Sequence, residues 1–442
     1  GTFTNSAAPT TSAHKVAVAS TKTDGTWSST PDSFSYRWLL AATNSATASD
    51  WSSVGTGSTY TPTAAQAGKW LKLEVTAHLA GYYDVVEFSV ASQIAYGSFS
   101  NSTVPTTSAH KVAVASTKTD GTWSSTPDSF SYRWLLAATN SATASDWSSV
   151  GTGETYTPTA AQAGKWLKLE VTAHLAGYDD AVAESVATQI SNGTFAGTAV
   201  PTTSAHKVAV ASTITAAATW SMTPDSVTYR WLVADTNSAT ASDWSSVGTG
   251  ETYTPTAAQA GKWLKLEVTA HLAGYDDVVE FSVATQIVNG TFTNSAAPTT
   301  SAHKVAVAST KTDGTWSSTP DSFSYRWLLA ATNSATASDW SSVGTGSTYT
   351  PTAAQAGKWL KLEVTAHLAG YYDVVEFSVA SQIAYGSFSN STVPTTSAHK
   401  VAVASTKTDG TWSSTPDSFS YRWLLAATNS ATASDWSSVG TG

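Results

Sequence analysis

The chain repeats itself, and this feature constrains its fold more than any other. The segment GTWSSTPDSFSYRWLLAATNSATASDWSSVGTG begins at Gly25, and it recurs unchanged from Gly121, Gly314 and Gly410, with a diverged copy from Ala218. Self-similarity at a fixed period is the signature of an array of structural units. We therefore predict unit boundaries at Gly1, Gly97, Gly193, Gly290 and Gly386, which divide the chain into unit 1 (1–96), unit 2 (97–192), unit 3 (193–289), unit 4 (290–385) and a partial unit 5 (386–442).

A longer period lies over the first. Residues 1–153 are identical to residues 290–442, so the larger repeat spans 289 residues, or three units. Unit 5 lacks a counterpart of the segment TYTPTAAQAGKWLKLEVTAHLAGY that begins at Thr59. We interpret the chain as a window on a longer periodic polypeptide, with an artificial boundary or a half-domain completed by a neighbouring chain as the alternatives.

The composition excludes several classes of function. Lys and Arg number 22 against 31 Asp and Glu, which gives a net charge of −9 and disfavours nucleic acid as a partner, because phosphate binding needs a clustered basic surface. No apolar run approaches the roughly 20 residues that span a bilayer, so no membrane insertion is expected in this window. With no cysteine, stability has to come from packing rather than from disulfides.

The apolar pattern within a unit has a period of two, which predicts strands. In unit 1, Phe34, Tyr36, Trp38 and Leu40 share one face, while Ser35 and Arg37 point the other way. Similar patterns predict strands at 15–18, 58–61, 70–78 and 86–90, and only 63–69 looks helical, for at most two turns. Several short strands at turn spacings within fewer than 100 residues are typical of a β-sandwich.

The runs GTWSSTPDSFSYRWLL from Gly25 and STYTPTAAQAGKWLKLEVTAHLAGY from Ser58 resemble the bacterial immunoglobulin-like repeats that occur in tandem in large secreted and cell-surface proteins. The resemblance implies an all-β fold, a tandem array of immunoglobulin-like β-sandwich domains, in which a tryptophan of the third strand fills the core. The matching residues are Trp38, Trp134, Trp231, Trp327 and Trp423. It also implies a role as stalk, spacer or adhesive module.

Each complete unit carries three further tryptophans. In unit 1, Trp27 follows a turn and is expected to close one end of the sandwich, and Trp70 is expected on the outer face or at a corner. Trp51 lies in a polar loop, so it packs on its own domain, contacts an adjacent domain or chain, or stacks on a sugar. The candidate interface or ligand aromatics are Trp51, Trp147, Trp244, Trp340 and Trp436.

No pattern of residues predicts a metal or cofactor. His14 and His78 are expected to be exposed, and Glu74 and His78 lie about 13 Å apart on a strand, too far to share one ion. Calcium between domains is a minor alternative through carboxylates such as Asp24 and Asp84, although no alternating acidic loop is present.

Covalent chemistry has equally weak support in the sequence. Ser12 and His14 are neighbours without an orienting acid, so we predict that the chain is not an enzyme and assign no catalytic residue. A crosslink between Asn44 and Lys15, Lys69 or Lys72 and glycosylation at Asn101, Asn192, Asn289 or Asn390 are open alternatives.

Unit 2 differs from unit 1 after the Ala-Gly turn. Glu184 stands where unit 1 has Phe88, which predicts either an exposed sheet edge or a different neighbour for this unit.

Near-identical units favour a property that adds along a line, such as length or stiffness. We therefore expect a structural segment of an extracellular filament or long surface stalk, built from three-unit blocks and prone to self-association. The segment SNSTVPTT from Ser100 is expected to set the angle between units. The alternative is a multivalent adhesin that binds glycans through Trp51 and its copies.

Overall fold

The computed structural model describes residues 1–441. Unit 1 consists of nine short strands: β1 (Asn5–Ala7), β2 (Thr10–Thr11), β3 (Lys22–Thr23), β4 (Thr26–Trp27), β5 (Ser33–Ala41), β6 (Ser52–Gly55), β7 (Trp70–His78), β8 (Val85–Phe88) and β9 (Ser92–Gln93). Helical structure in the described chain consists of single 3₁₀ turns: Ala48–Asp50, Ala64–Gln66, Ala144–Asp146, Ala160–Gln162, Ala241–Asp243, Ala257–Gln259, Ala337–Asp339, Ala353–Gln355 and Ala433–Asp435. The expected all-β class is confirmed.

The strands of unit 1 form two antiparallel layers. The larger sheet has the order β6-β5-β7-β8, and β9 pairs with β7 beyond the end of β8. Its centre is the β5–β7 ladder, in which Trp38 lies opposite Leu73. The second layer contains the pairs β1–β4 and β2–β3, and Ser20 bridges to Tyr60. This two-layer arrangement of short antiparallel strands is that of an immunoglobulin-like sandwich.

The other units repeat this pattern. The strands of unit 2 are Asn101–Thr103, Thr106–Thr107, Lys118–Thr119, Thr122–Trp123, Ser129–Ala137, Ser148–Thr152, Trp166–His174, Ala181–Glu184 and Thr188–Gln189. Those of unit 3 are Gly197–Ala199, Thr202–Thr203, Ser212–Ala216, Thr219–Trp220, Ser226–Ala234, Ser245–Thr249, Thr252–Tyr253, Trp263–His271, Val278–Phe281 and Thr285–Gln286. Those of unit 4 are Asn294–Ala296, Thr299–Thr300, Lys311–Thr312, Thr315–Trp316, Ser322–Ala330, Ser341–Thr345, Trp359–His367, Val374–Phe377 and Ser381–Gln382. Those of unit 5 are Asn390–Thr392, Thr395–Thr396, Lys407–Thr408, Thr411–Trp412, Arg422–Leu425 and Ser437–Thr441.

Each of the first four units buries one main hydrophobic cluster between its layers. In unit 1 the cluster consists of Val16, Trp38, Leu40, Leu71, Leu73, Val75 and Ile94. The burial of β7 alternates strictly, because every second side chain faces the opposite layer. The equivalent residues form the clusters of units 2, 3 and 4, with the equivalent of Val16 in unit 4, Val305, only partly buried, so every complete unit contains its own core.

Three local predictions were wrong. The predicted strand at 58–61 is only an isolated bridge from Tyr60 to Ser20. Residues 15–18 form a tight turn instead of a strand, because the Val18 amide donates to the Lys15 carbonyl and Ala17 adopts a φ of 61°. This turn buries Val16 and leaves Val18 half exposed. The predicted helix at 63–69 is a single 3₁₀ turn at Ala64–Gln66, closed by a capping box between Thr63 and Gln66.

Candidate functional site

The core tryptophans lie at the centre of each sandwich. Trp38 on β5 is completely buried, its indole nitrogen donates to the Gly57 carbonyl at 3.0 Å, and its ring stacks on Tyr60 with centroids 6.0 Å apart. Trp134, Trp231 and Trp327 are equally buried. Trp423 is only partly buried, since residues 386–441 contain no equivalent of β7 to cover it. The four buried indoles are structural elements, saturated in their hydrogen bonding.

Trp51 packs on its own domain. Its side chain is 9% exposed and forms a small second cluster with Leu39 and Ala41, against which Trp70 and Ala91 pack. The indole nitrogen donates to the Ser45 carbonyl at 2.9 Å, and the Lys72 ammonium lies over the ring, 4.1 Å from its centroid. Trp244 and Trp340 are equally buried, and Trp147 and Trp436 are partly buried. A sugar that stacks on this ring has to displace the lysine first.

The lysine beside Trp51 has different partners in units 1 and 2. In unit 1, Lys72 also lies 4.8 Å from the centroid of Phe88 on the edge strand β8. In unit 2 the equivalent Lys168 forms an ion pair with Glu184 at 2.6 Å and remains 4.4 Å from the Trp147 centroid. The Glu184 side chain is 43% exposed, so the acidic substitution produces a solvent-accessible ion pair at the sheet edge.

The expectation that His14 is exposed was wrong. The side chain is 1% exposed, Nδ1 lies 2.8 Å from the Ser20 hydroxyl, and the ring packs edge-on against Trp38 at 5.9 Å. Desolvation by burial lowers the pKa of His14, and a backbone contact at Leu71 offsets part of this effect. The same holds for the pKa values of His110, His206 and His303. These histidines are neutral core residues. The period-two pattern of the strands did not indicate this role, because each histidine directly precedes a turn instead of lying within a strand.

Glu74 and His78 have separate partners. Glu74 accepts from the Arg37 guanidinium at 2.6 Å, whereas His78 contacts Asp84 at 2.9 Å and the Ser35 hydroxyl at 2.9 Å. Across residues 1–441, no group of three or more His, Asp or Glu side chains is placed to hold a metal ion. Calcium between domains therefore stays a proposal without a ligand set in the described chain.

The side chains considered for covalent chemistry have other partners. The Ser12 hydroxyl accepts from the Thr21 amide at 2.9 Å, and His14 bonds to Ser20 instead. The side-chain amides at three matches to the glycosylation pattern donate hydrogen bonds, from Asn101 to the Thr122 carbonyl, from Asn192 to Asp276 and from Asn390 to the Thr411 carbonyl. Of the lysines considered for a crosslink, Lys15 donates to Ser98 and Lys72 lies over Trp51 and Phe88.

The junction between units 1 and 2 is a single residue long. Ala95 still hydrogen-bonds to unit 1, donating to the His14 carbonyl at 2.9 Å, and Gly97 already bonds to unit 2, donating to the Gly177 carbonyl at 2.9 Å. Tyr96 alone lies between them. The segment from Ser100 that was expected to set the angle instead contributes Asn101–Thr103, which pairs with Thr122–Trp123 inside unit 2.

The next two junctions have the same construction. Ser191 donates to unit 2 at His110, and Gly193 donates to Gly274 of unit 3, which leaves Asn192 between them. At the junction between units 3 and 4, Val288 and Gly290 form the equivalent hydrogen bonds, which leaves Asn289 as the single residue between them.

No helix in the described part of the chain is long and apolar enough to cross a membrane. No family model matches the sequence, and no curated protein sequence matches it. Several solved structures are similar to it. A tetra-tandem repeat in the extending region of a large adhesion protein has 12% identity and a TM-score of 0.31, with 86% of this chain and 99% of that chain covered.

A Ca²⁺-stabilized adhesin that helps an Antarctic bacterium reach out and bind ice has 15% identity and a TM-score of 0.33, with 87% of this chain and 100% of that chain covered. The ICAM-5 D1–D4 ectodomain fragment has 11% identity and a TM-score of 0.33, with 87% and 100% covered. The strand order, the two antiparallel layers and the buried tryptophan of each complete unit make this chain an all-β tandem array of immunoglobulin-like β-sandwich domains.

Proposed function

We propose that this chain is a structural repeat segment of an extracellular filament or long cell-surface stalk, with three units as its building block. The observation that supports the proposal is the one-residue linker. Each of the first three junctions has a single residue between the last backbone bond to one unit and the first bond to the next. Such a linker leaves little conformational freedom between sandwiches, so the array transmits length and force instead of folding back on itself.

The proposal includes self-association along a filament. It includes neither nucleic acid as a partner nor insertion of this segment into a membrane. The three-unit block is supported by local differences in surface chemistry, among them that unit 2 exposes Glu184 where units 1, 3 and 4 expose Phe88, Phe281 and Phe377. The proposal assigns no catalytic activity. The buried position of His14 and the separate partners of Glu74 and His78 support this part of the proposal.

Small-angle scattering and electron microscopy of the 442-residue chain test the proposal. A stiff array gives a thin particle whose length increases by about 35 to 45 Å per complete unit, as strand rise and loops require. Filaments, where they form, should repeat every three units. A collapsed particle, or a filament in which every unit is equivalent, would contradict the proposal.

The alternative of a multivalent glycan-binding adhesin predicts sugar binding that is lost when Trp51 and its copies are substituted. The structure offers it less support, because Lys72 covers the ring of Trp51. A glycan array with the intact chain separates the two functions, since the structural proposal predicts no binding on it.

A further inference from the structure

A Gly-Tyr pair follows the long strand equivalent to β7 in every complete unit, and in units 2 to 4 it lies against the preceding unit. Tyr178 of unit 2 packs against the core cluster of unit 1. Tyr275 and Tyr371 pack in the same way against the cores of units 2 and 3. The hydrophobic core of one unit is therefore completed at its base by an aromatic ring from the next.

The glycine of the pair is required by the closeness of this contact. A Cβ atom at Gly177 would lie 2.4 Å from the carbonyl oxygen and 2.7 Å from the Cα of Ala64, both backbone atoms of the preceding unit. The φ of Gly177 is +79°, a conformation that also favours glycine. The same approach recurs at the next two junctions, where a Cβ at Gly274 or Gly370 would lie 2.5 Å from the carbonyl of Ala160 or Ala257.

Unit 1 provides an internal comparison. Its Gly81 has the same conformation, with a φ of +83°, but a Cβ there would meet nothing within 4 Å. Tyr82 is 44% exposed, although its contact inside its own unit is preserved, with a centroid distance of 6.0 Å to Phe3 against 6.1 Å from Tyr178 to Phe99. The loop conformation is therefore intrinsic to each unit, and the contact with the preceding unit is the part that differs.

The receiving surface is held in place by its own hydrogen bonds. Ala64 opens the 3₁₀ turn that Thr63 and Gln66 cap, and Gln66 also accepts from the Tyr60 hydroxyl at 2.8 Å. A second contact supports the junction from the side, where the Lys15 ammonium of unit 1 donates to the Ser98 hydroxyl of unit 2 at 3.0 Å. A preformed receiving surface loses little conformational entropy when the loop docks.

We propose that the Gly-Tyr pair is the orienting contact of the array, a plug that docks into the base of the preceding unit and sets the angle between the two. The short linker limits how far the units can separate, whereas the plug selects one orientation among those the linker allows. The partner of this surface is the loop of another copy of the same repeat. The proposal concerns the junction between units and does not depend on what is attached to the array at either end.

Spin-label distance measurements on the intact chain test the proposal, and the absence of native cysteine makes labelling specific. Labels at Ala42→Cys and Ala138→Cys, both exposed positions, report the distance between units 1 and 2. We expect a narrow distance distribution in the parent, and at least a doubling of its width in Tyr178→Ala. Tyr82→Ala is the matched control, because it removes the equivalent ring and the same intra-unit contact without a junction, and it should leave the distribution unchanged.

Two further variants separate the loss of the plug from the loss of the fold. Tyr178→Phe keeps the ring and should keep the narrow distribution, whereas Gly177→Ala should shift the mean distance because its methyl group meets the Ala64 backbone. Circular dichroism and the unfolding midpoint establish that unit 2 remains folded in each variant. An unchanged distribution in a folded Tyr178→Ala chain, or equal broadening in Tyr82→Ala, would overturn the proposal.

Discussion

Acid should destabilise every complete unit through its buried histidine. His14 is 1% exposed and packs edge-on against Trp38, with Ser20 as hydrogen-bond partner. Desolvation lowers its pKa in the folded state, so the unfolded chain binds the proton more readily than the folded one. The stabilising contribution is therefore complete above the unfolded-state pKa of about 6.5 and is lost progressively as the pH falls toward the folded-state pKa.

The magnitude follows from linkage. Over that window each histidine removes about 1.4 kcal/mol of unfolding free energy per pH unit, which gives an upper bound of about 2 kcal/mol per unit at pH 5. For a domain of this size, with a urea dependence on the order of 1 to 1.5 kcal/mol per molar, this upper bound corresponds to a shift of the unfolding midpoint by at most about 1 to 2 M. Because His110, His206 and His303 share this environment, the four complete units should lose stability together.

Urea unfolding monitored by tryptophan fluorescence at pH 7.5, 6.0 and 5.0 measures the effect. The control is a chain with all four buried histidines changed to glutamine, which keeps a hydrogen-bonding side chain but cannot take up a proton. The unfolding midpoint of this variant should depend on pH much less than that of the parent. The dependence that remains should be the part caused by titration of carboxylates. Equal midpoints at pH 7.5 and 5.0 in the parent, or the same pH slope in the glutamine variant, would refute the reasoning.

Three other outcomes follow from single contacts. Trp134→Ala should cost roughly 3 to 5 kcal/mol and unfold unit 2 first, detectable as an early transition in thermal denaturation, because the side chain is completely buried. Glu184→Phe replaces the ion pair to Lys168 with a second aromatic contact, and unfolding by urea should change by less than about 1 kcal/mol. Ala17→Gly should stabilise unit 1 by about 0.5 to 1 kcal/mol in the same assay, because an exposed alanine with a φ of 61° is strained; a destabilised variant would contradict this account.

The larger part of the fold was predictable from short-range pattern. The alternation around Trp38 predicted β5 and its buried face, and the alternation from Trp70 predicted β7, because a strand exposes successive side chains to opposite faces whatever its neighbours are. The outer face was harder to predict. Leu39 and Trp51 are buried there because the loop between β5 and β6 returns across the sheet, and no local period records that path.

The repeat period, the all-β class and the identity of the core tryptophans were determined by the sequence itself, since each depends on residues within one strand or on exact recurrence along the chain. The unit boundaries proposed from that recurrence stay predictions. Only the tertiary structure decided the burial of His14 and the docking of Tyr178 into the preceding unit. The physical reason is distance along the chain, because a tyrosine at position 178 meets a core built from residues 16 to 94. Such contacts depend on how whole sandwiches are placed, and a local sequence pattern does not encode that placement.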